Sequence, residues 1–252
     1  MKALATEQKE NFERDGFLIF GPLLSEEEVE ILRERIDAMA AGDVEGVGIR
    51  LEEEAQKGGL QDVEEKNRVW QISGAASHDE AVFRHAVNPK ILDIVEDLLG
   101  SPDIKLFSDQ TLMKPAHHGS PVSWHQDSAY WTNIDPPKLV SCWTALDDAN
   151  EENGCVMMVP GSHRQGIYSH QEETFLHVQG VDVSKAVPVT VSTGGVCFHL
   201  STTVHGSGPN RTNHRRRGLV TSYMRADSKY VGNPEKTPNF PLLRGREYEG
   251  CV

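Results

Sequence analysis

The sequence offers little with which to tie itself together covalently. Its four cysteines, Cys142, Cys155, Cys197 and Cys251, stand far apart with no C-x-x-C pair. Three of them sit in apolar, strand-like runs, where a thiol behaves as a small hydrophobe, so all four read as reduced and a disulfide framework is excluded. Positive charge is also scarce: 25 Lys and Arg against 38 Asp and Glu leave a formal net charge of −13. Binding nucleic acid through its phosphates needs clustered cations, so that function is not expected. No apolar run approaches the roughly 18 to 20 residues that cross a bilayer. The opening MKALATEQKENFERDG lacks the apolar stretch of a signal peptide. The expectation is a cytoplasmic protein with no membrane segment. Tandem repeats and low-complexity tracts are missing too, which excludes a solenoid.

What is present suits one packed domain spanning residues 1–252, with a helical part over about 1–100 resting on a β core over about 101–230. Thr6 to Asp15 reads as a short polar helix and GFLIF after it as a strand. Ser25 with Glu28 three residues on forms a capping box, followed by Val29, Leu32, Ile36 and Met39 at helical spacing, with Gly42 as the stop. Asp43 to Lys66 is acidic and aperiodic, which suggests a surface excursion. Asp79 to Leu99 reads as two helical pieces broken at Pro89 and closed by Gly100. After Ser101 come short extended runs, IKLFSDQTLMK, LVSCWTAL, CVMMV, AVPVTV, GVCFHL and GLVTSYM, separated by turn-rich segments. Apolar strands at this cadence predict a mainly β protein with flanking helices, and a double-stranded β-helix, or jelly roll, is the natural candidate.

Within SWHQDSAYW, His125 and Asp127 are two apart and therefore point to the same side of an extended chain. His205, placed at the end of an extended stretch and before turn-forming residues, is the best-placed histidine to join them. Two histidines and a carboxylate bind one face of Fe(II) and leave the other positions open. The competing reading makes His205 a hydrogen-bonded turn histidine. Against that stands Arg216, which opens the strand RGLVTSYM and whose guanidinium can hold a carboxylate in two places. Because strand direction alternates, Arg215 and Arg217 should point away from it.

These residues resemble the phytanoyl-CoA dioxygenase-like family of Fe(II)/2-oxoglutarate oxygenases. The resemblance runs through ENFERDGFLIFGPLLSEEEVEILRERID, WHQDSAYW, CWTALDDANEENGCVMMVPGSH and HGSGPNRTNHRRRG, and is weakest over Asp43 to Lys66 and Gln165 to Ser184. It implies His125, Asp127 and His205 as iron ligands, and Arg216, eleven residues beyond His205, as the anchor of the distal carboxylate of 2-oxoglutarate. It further implies Ser207 as a support for that carboxylate, and Trp143 and Gln110 as co-substrate contacts. Trp143 equally suits core packing and Ser207 a simple turn. Relatives also place a lysine in this pocket; none is evident here, and Arg68 is the only stand-in from the region before the helical pair. Tyr130 and Trp131 are expected to face substrate. ENG at Glu152 to Gly154 reads as a hairpin turn, PGSH at Pro160 to His163 as a structural corner, and His117 and His118 as part of a lid rather than ligands.

The implied activity is that of a dioxygenase that uses Fe(II), 2-oxoglutarate and O2 to oxidise, most often hydroxylate, a C–H bond of a small-molecule substrate, releasing succinate and CO2. Halogenating relatives replace the carboxylate ligand by a small residue, so Asp127 speaks against halogenation. The alternative is a metal-dependent jelly-roll enzyme, such as a cupin-like isomerase or hydrolase, that does not use 2-oxoglutarate and would not need Arg216 or the HGSG serine. The acidic chain offers no basic surface for coenzyme A phosphates, which favours a free small molecule. With no exposed apolar helix stripe in sight, a monomer is expected.

Overall fold

The computed structural model describes residues 3–172 and 176–252. The described residues form five α-helices: α1 (Thr6–Asp15), α2 (Glu26–Ala40), α3 (Glu53–Gln56), α4 (Glu80–Ala86) and α5 (Pro89–Leu99). The strands begin with β1 (Phe17–Pro22), β2 (Gly48–Leu51), β3 (Val69–Ser73), β4 (Ile104–Lys114), β5 (Val122–His125), β6 (Ile134–Asp135), β7 (Val140–Ala145) and β8 (Val156–Met158). They continue with β9 (His170–Glu172), β10 (Leu176–Val178), β11 (Val187–Pro188), β12 (Gly195–Leu200), β13 (His205–Ser207), β14 (Arg216–Arg225), β15 (Lys229–Tyr230) and β16 (Leu242–Arg244).

Two antiparallel sheets make the jelly roll. The larger runs β1-β12-β7-β14-β4-β3-β2, with β16 also on β4, and the smaller runs β11-β8-β13-β5. Strands β7 and β12 are buried at every position, because helices cover one face of the large sheet and the small sheet covers the other. Alternation sorts their side chains between two cores. Cys142, Phe198, Leu219 and Tyr223 pack with Ile36, Met39, Ile91 and Val95 of the helices. Trp143, Cys197 and Val220 pack instead with Val156 and Met158 of the small sheet. The metal-ligand candidates lie on the second side.

The N-terminal helices follow the sequence closely. Ser25 Oγ accepts from the Glu28 amide and Glu28 answers by accepting from the Ser25 amide, which satisfies two of the four orphan donors of α2. Pro89 opens α5 and Gly100 closes it in the left-handed conformation.

Three expectations need correction. The first hundred residues are not helical apart from GFLIF, since β2 and β3 also join the large sheet. Strand β2 is exposed at all four positions; it is held by backbone pairing at a sheet edge and so carries no apolar period. AVPVTV forms only the short β11, with a single bridge from Val191 to Ala149, because Pro188 has no N–H to extend a ladder. His205 begins β13 rather than ending a strand. Part of the Gln165 to Ser184 stretch, residues 173–175, lies outside the described residues. No helix among the described residues is long and apolar enough to cross a membrane.

Candidate metal and co-substrate site

His125 is the last residue of β5 and Asp127 opens a 3-10 turn, so the pair straddles the strand end. Their common direction survives because Gln126 between them stays extended, at φ −118° and ψ 133°. Gln126 itself is buried and pins the neighbourhood. Its amide nitrogen donates to the Gly166 and Thr202 carbonyls, and its oxygen accepts from the Tyr168 amide. Across the small sheet, His205 lies directly opposite His125 in register.

Each imidazole is oriented by the carbonyl two residues earlier: His125 Nδ1 lies 2.7 Å from the Ser123 oxygen, and His205 Nδ1 3.0 Å from the Thr203 oxygen. A carbonyl only accepts, so Nδ1 carries the proton and Nε2 presents its lone pair. Both Nε2 atoms face Asp127 Oδ1, at 3.5 Å from His125 and 3.7 Å from His205. Two lone pairs and a carboxylate oxygen thus converge with no proton between them. Burial alone would raise the Asp127 carboxyl; the positive charge and N–H that the facing imidazoles offer when protonated, His205 foremost and then His125 and His199, act the other way and keep it well below the usual carboxylate range. Burial, reinforced by repulsion from His125, pushes His205 down to about 3. An ionised carboxylate and a neutral imidazole are the forms that a cation takes as ligands. His125, Asp127 and His205 are the one such cluster found among the described residues, with donor atoms all within 4.8 Å.

These three residues open on a cavity of about 300 Å³ between the sheets. Its large-sheet wall holds Arg216, 1% exposed, whose guanidinium lies 5.6 Å from the centre of the buried Trp143 ring. Arg216 Nη2 donates to the Gly154 carbonyl, while its Nε is buried with no partner among the described residues. Gly154 has φ +74°, and a Cβ there would stand 2.4 Å from the Gly208 carbonyl. The ENG segment is a turn but not the hairpin expected of it, because it carries the chain from β7 in the large sheet to β8 in the small one, which do not pair; it also holds Arg216 through the Gly154 carbonyl. As strand alternation requires, the neighbouring arginines face the helices: Arg215 pairs with Asp37 of α2, and Arg217 with Asp37 and Asp147.

Ser207 and Gln110 line the same cavity. The Gln110 side chain is engaged with that of Gln71 on β3. Tyr130 and Trp131 stand at its rim: Tyr130 is 47% exposed and accepts from the Leu176 amide, and Trp131 packs 4.7 Å from Phe107. Arg68 is absent from the cavity wall; its guanidinium is spent on the Val63 and Gln61 carbonyls. His118 faces Glu54 at 3.6 Å, away from the ligand cluster. PGSH is a corner, with Ser162 donating to Val159 and accepting from Val204.

Two wall residues escaped the sequence reading. His199 on β12 sets Nε2 at 3.4 Å from Asp127 Oδ2, leaving Oδ1 for the cluster; its signal was a lone histidine in an apolar strand. Lys114, 2% exposed, lines the cavity beside Arg216; its signal was the alternation Gln110, Leu112, Lys114 along β4.

A jelly roll with two histidines and a carboxylate converging at its mouth has the architecture of the non-haem Fe(II)/2-oxoglutarate oxygenases. The chain belongs to the phytanoyl-CoA dioxygenase (PhyH) family, whose profile matches residues 12–218. It is 29% identical over 234 residues to a probable alpha-ketoglutarate-dependent hypophosphite dioxygenase of Stutzerimonas stutzeri, covering 88% of this chain and 79% of that protein. With the L-proline trans-4-hydroxylase of Streptomyces griseoviridis it shares 28% identity over 265 residues, 95% of this chain and 92% of the relative. The epimerase SnoN, solved with Fe3+, alpha-ketoglutarate and nogalamycin RO, has the same fold, with a TM-score of 0.75 at 22% identity over 94% of this chain and 98% of that one.

Proposed function

We propose that His125, Asp127 and His205 bind one Fe(II) ion, and that Arg216 with Ser207 anchors the distal carboxylate of 2-oxoglutarate beside it, against the indole of Trp143. The chain is then a dioxygenase that hydroxylates a C–H bond of a small molecule. The observation that carries this reading is the convergence of two tautomer-fixed imidazoles on an ionised carboxylate, in a cavity whose opposite wall holds a buried arginine. When bound, iron and 2-oxoglutarate supply the oxidising power: O2 is consumed, succinate and CO2 leave, and one oxygen atom enters the substrate.

The chain's own residues do the rest. His199 fixes the rotation of the Asp127 carboxylate through Oδ2. Trp143 and Val156 keep water from the keto acid, and Gln110, paired with Gln71, borders its pocket. Tyr130 and Trp131 form the rim that substrate crosses. A cavity of about 300 Å³ is at the small end of ligand pockets and must hold substrate and co-substrate together. That size favours a compact polar substrate, of the kind for which some relatives are named, over an acyl-CoA, for which others are named.

The test is anaerobic titration of the Fe(II)-loaded protein with 2-oxoglutarate, watching the visible charge-transfer band of a chelated keto acid. The band is expected in the parent. Arg216→Ala should weaken 2-oxoglutarate by ~10- to 100-fold, the worth of a charged hydrogen-bonded contact. His125→Ala and His205→Ala, folded by circular dichroism, should lose Fe(II); variants that bind it as tightly as the parent would overturn the ligand assignment.

A further inference from the structure

We propose that Lys114 is a second cation of the distal-carboxylate site, positioned by Glu52 through Ser120. The proposal rests on the co-substrate reading above and deepens it. In the β14–β4 ladder, Lys114 is the direct partner of Arg216, so the two side chains leave the sheet on the same face as cross-strand neighbours. Both line the cavity, and both are buried, at 2% and 1% exposure. Like charges directly opposite each other are unfavourable, and burial makes them more so. Burial and then Arg216 push the Lys114 ammonium down to about 7, while burial pushes Arg216 down to about 10. An anion seated between the two would offset that cost.

Donors are also in excess. The hydrogen bond recorded for the Lys114 ammonium goes to the Ser120 carbonyl, and an ammonium has three N–H groups to give. Arg216 keeps a buried Nε without a partner among the described residues.

The local counter-charge is Glu52. Within the exposed acidic excursion, this side chain alone between Gly48 and Glu54 turns inward, to 1% exposure. Its carboxylate accepts from the amide and the hydroxyl of Ser120, the residue whose carbonyl holds Lys114. Glu52 therefore fixes the Ser120 backbone, and Ser120 aims the ammonium. Glu52 acts on Lys114 and Asp147 on Arg216, but the hydrogen bonds of both cations go to carbonyls, so both keep charge for the distal carboxylate of the keto acid, and Glu52 ties the excursion to co-substrate binding.

The experiment compares two keto acids on the Fe(II)-loaded full chain under anaerobic conditions: 2-oxoglutarate, and 2-oxopentanoate, which has a methyl group in place of the distal carboxylate. Lys114→Met should raise the Kd for 2-oxoglutarate at least tenfold and leave 2-oxopentanoate within twofold of the parent. Lys114→Gln keeps a donor for the Ser120 carbonyl, guards against a folding defect, and should show the same selective loss. Arg216→Met is the positive control. If Arg216→Met loses 2-oxoglutarate while both Lys114 variants bind it like the parent, or if these weaken both keto acids equally, Lys114 is a structural residue and the proposal fails. If the Fe(II)-loaded parent gives no band with either keto acid, the co-substrate reading itself fails and takes this proposal with it.

Discussion

Lys114 and Arg216 are held side by side where little water reaches them, and the protonation of Lys114 should register the arrival of an anion. The charged groups facing the ammonium are Arg216 from β14 and Glu52 from the segment before α3, with His118 acting at the far side of Glu52. With the ammonium at about 7, the ligand-free chain loses that proton as pH rises past neutrality, well below the value of ~10.4 for a free lysine. A bound carboxylate favours the charged form, so its pKa rises on binding and a proton is taken up above pH 7. Affinity for 2-oxoglutarate should therefore fall between pH 7 and 9, whereas that for 2-oxopentanoate should not. Calorimetry in buffers of different ionisation enthalpy would measure the uptake directly, and its absence at pH 8 would show Lys114 to be already charged. Residues of this kind are hard to read in a sequence. His125 and Asp127 announce themselves by spacing, because a period of two is a local property, whereas His205 and Arg216 are legible from their places beside extended runs and from the family resemblance. Lys114 and Glu52 acquire their roles from a ladder register and a burial that join residues 62 positions apart.

Strand β14 shows what alternation does at the scale of an element. Three consecutive arginines serve two faces: Arg215 and Arg217 fasten the sheet to α2 through Asp37, and Arg216 between them enters the cavity. Two residues further along the same face, Gly218 makes room for the Trp143 indole on β7; a Cβ there would lie 2.4 Å from its Cζ2 and 2.5 Å from its Nε1. Gly218→Ala should displace the ring that backs Arg216, costing ~1–3 kcal/mol as overpacking does and weakening 2-oxoglutarate. Gly208→Ala, where an added Cβ meets nothing within 4 Å, is the matched control. Urea unfolding of the two variants separates these outcomes, and equal stability would mean that Trp143 has slack to move. The elements themselves were largely legible: α1, β1, α2, α4, α5, β4 and β12 follow from caps, breaks and apolar runs. Strands β2 and β3 were not, since an exposed edge and a five-residue strand with a cavity-facing Gln71 carry no period to read.

Across the whole molecule, the site lies on the seam between the sheets. Its proposed metal ligands come from the small sheet and the turn that follows β5, at His125, His205 and Asp127, and its cations from the large sheet, at Lys114 and Arg216. A metal with its chelated keto acid would therefore span both sheets and bind only when they are correctly apposed. Any ligand that binds the folded state alone stabilises it by mass action, by ~2.7 kcal/mol at a hundredfold excess over Kd. For a chain of this size each kcal/mol moves Tm by ~2–4 °C. Mn(II) and 2-oxoglutarate together, under conditions where no turnover occurs, should thus raise Tm by ~5–10 °C, and more than the sum of either alone, because each completes the other's site. His205→Ala should lose the metal-dependent part and keep a small response to 2-oxoglutarate through the two cations. Lys114→Met should keep the response to Mn(II) and lose most of what the keto acid adds. A scanning calorimetry series over these three proteins checks each term, and a parent whose Tm ignores both ligands at saturating concentration would show that they do not bridge the sheets.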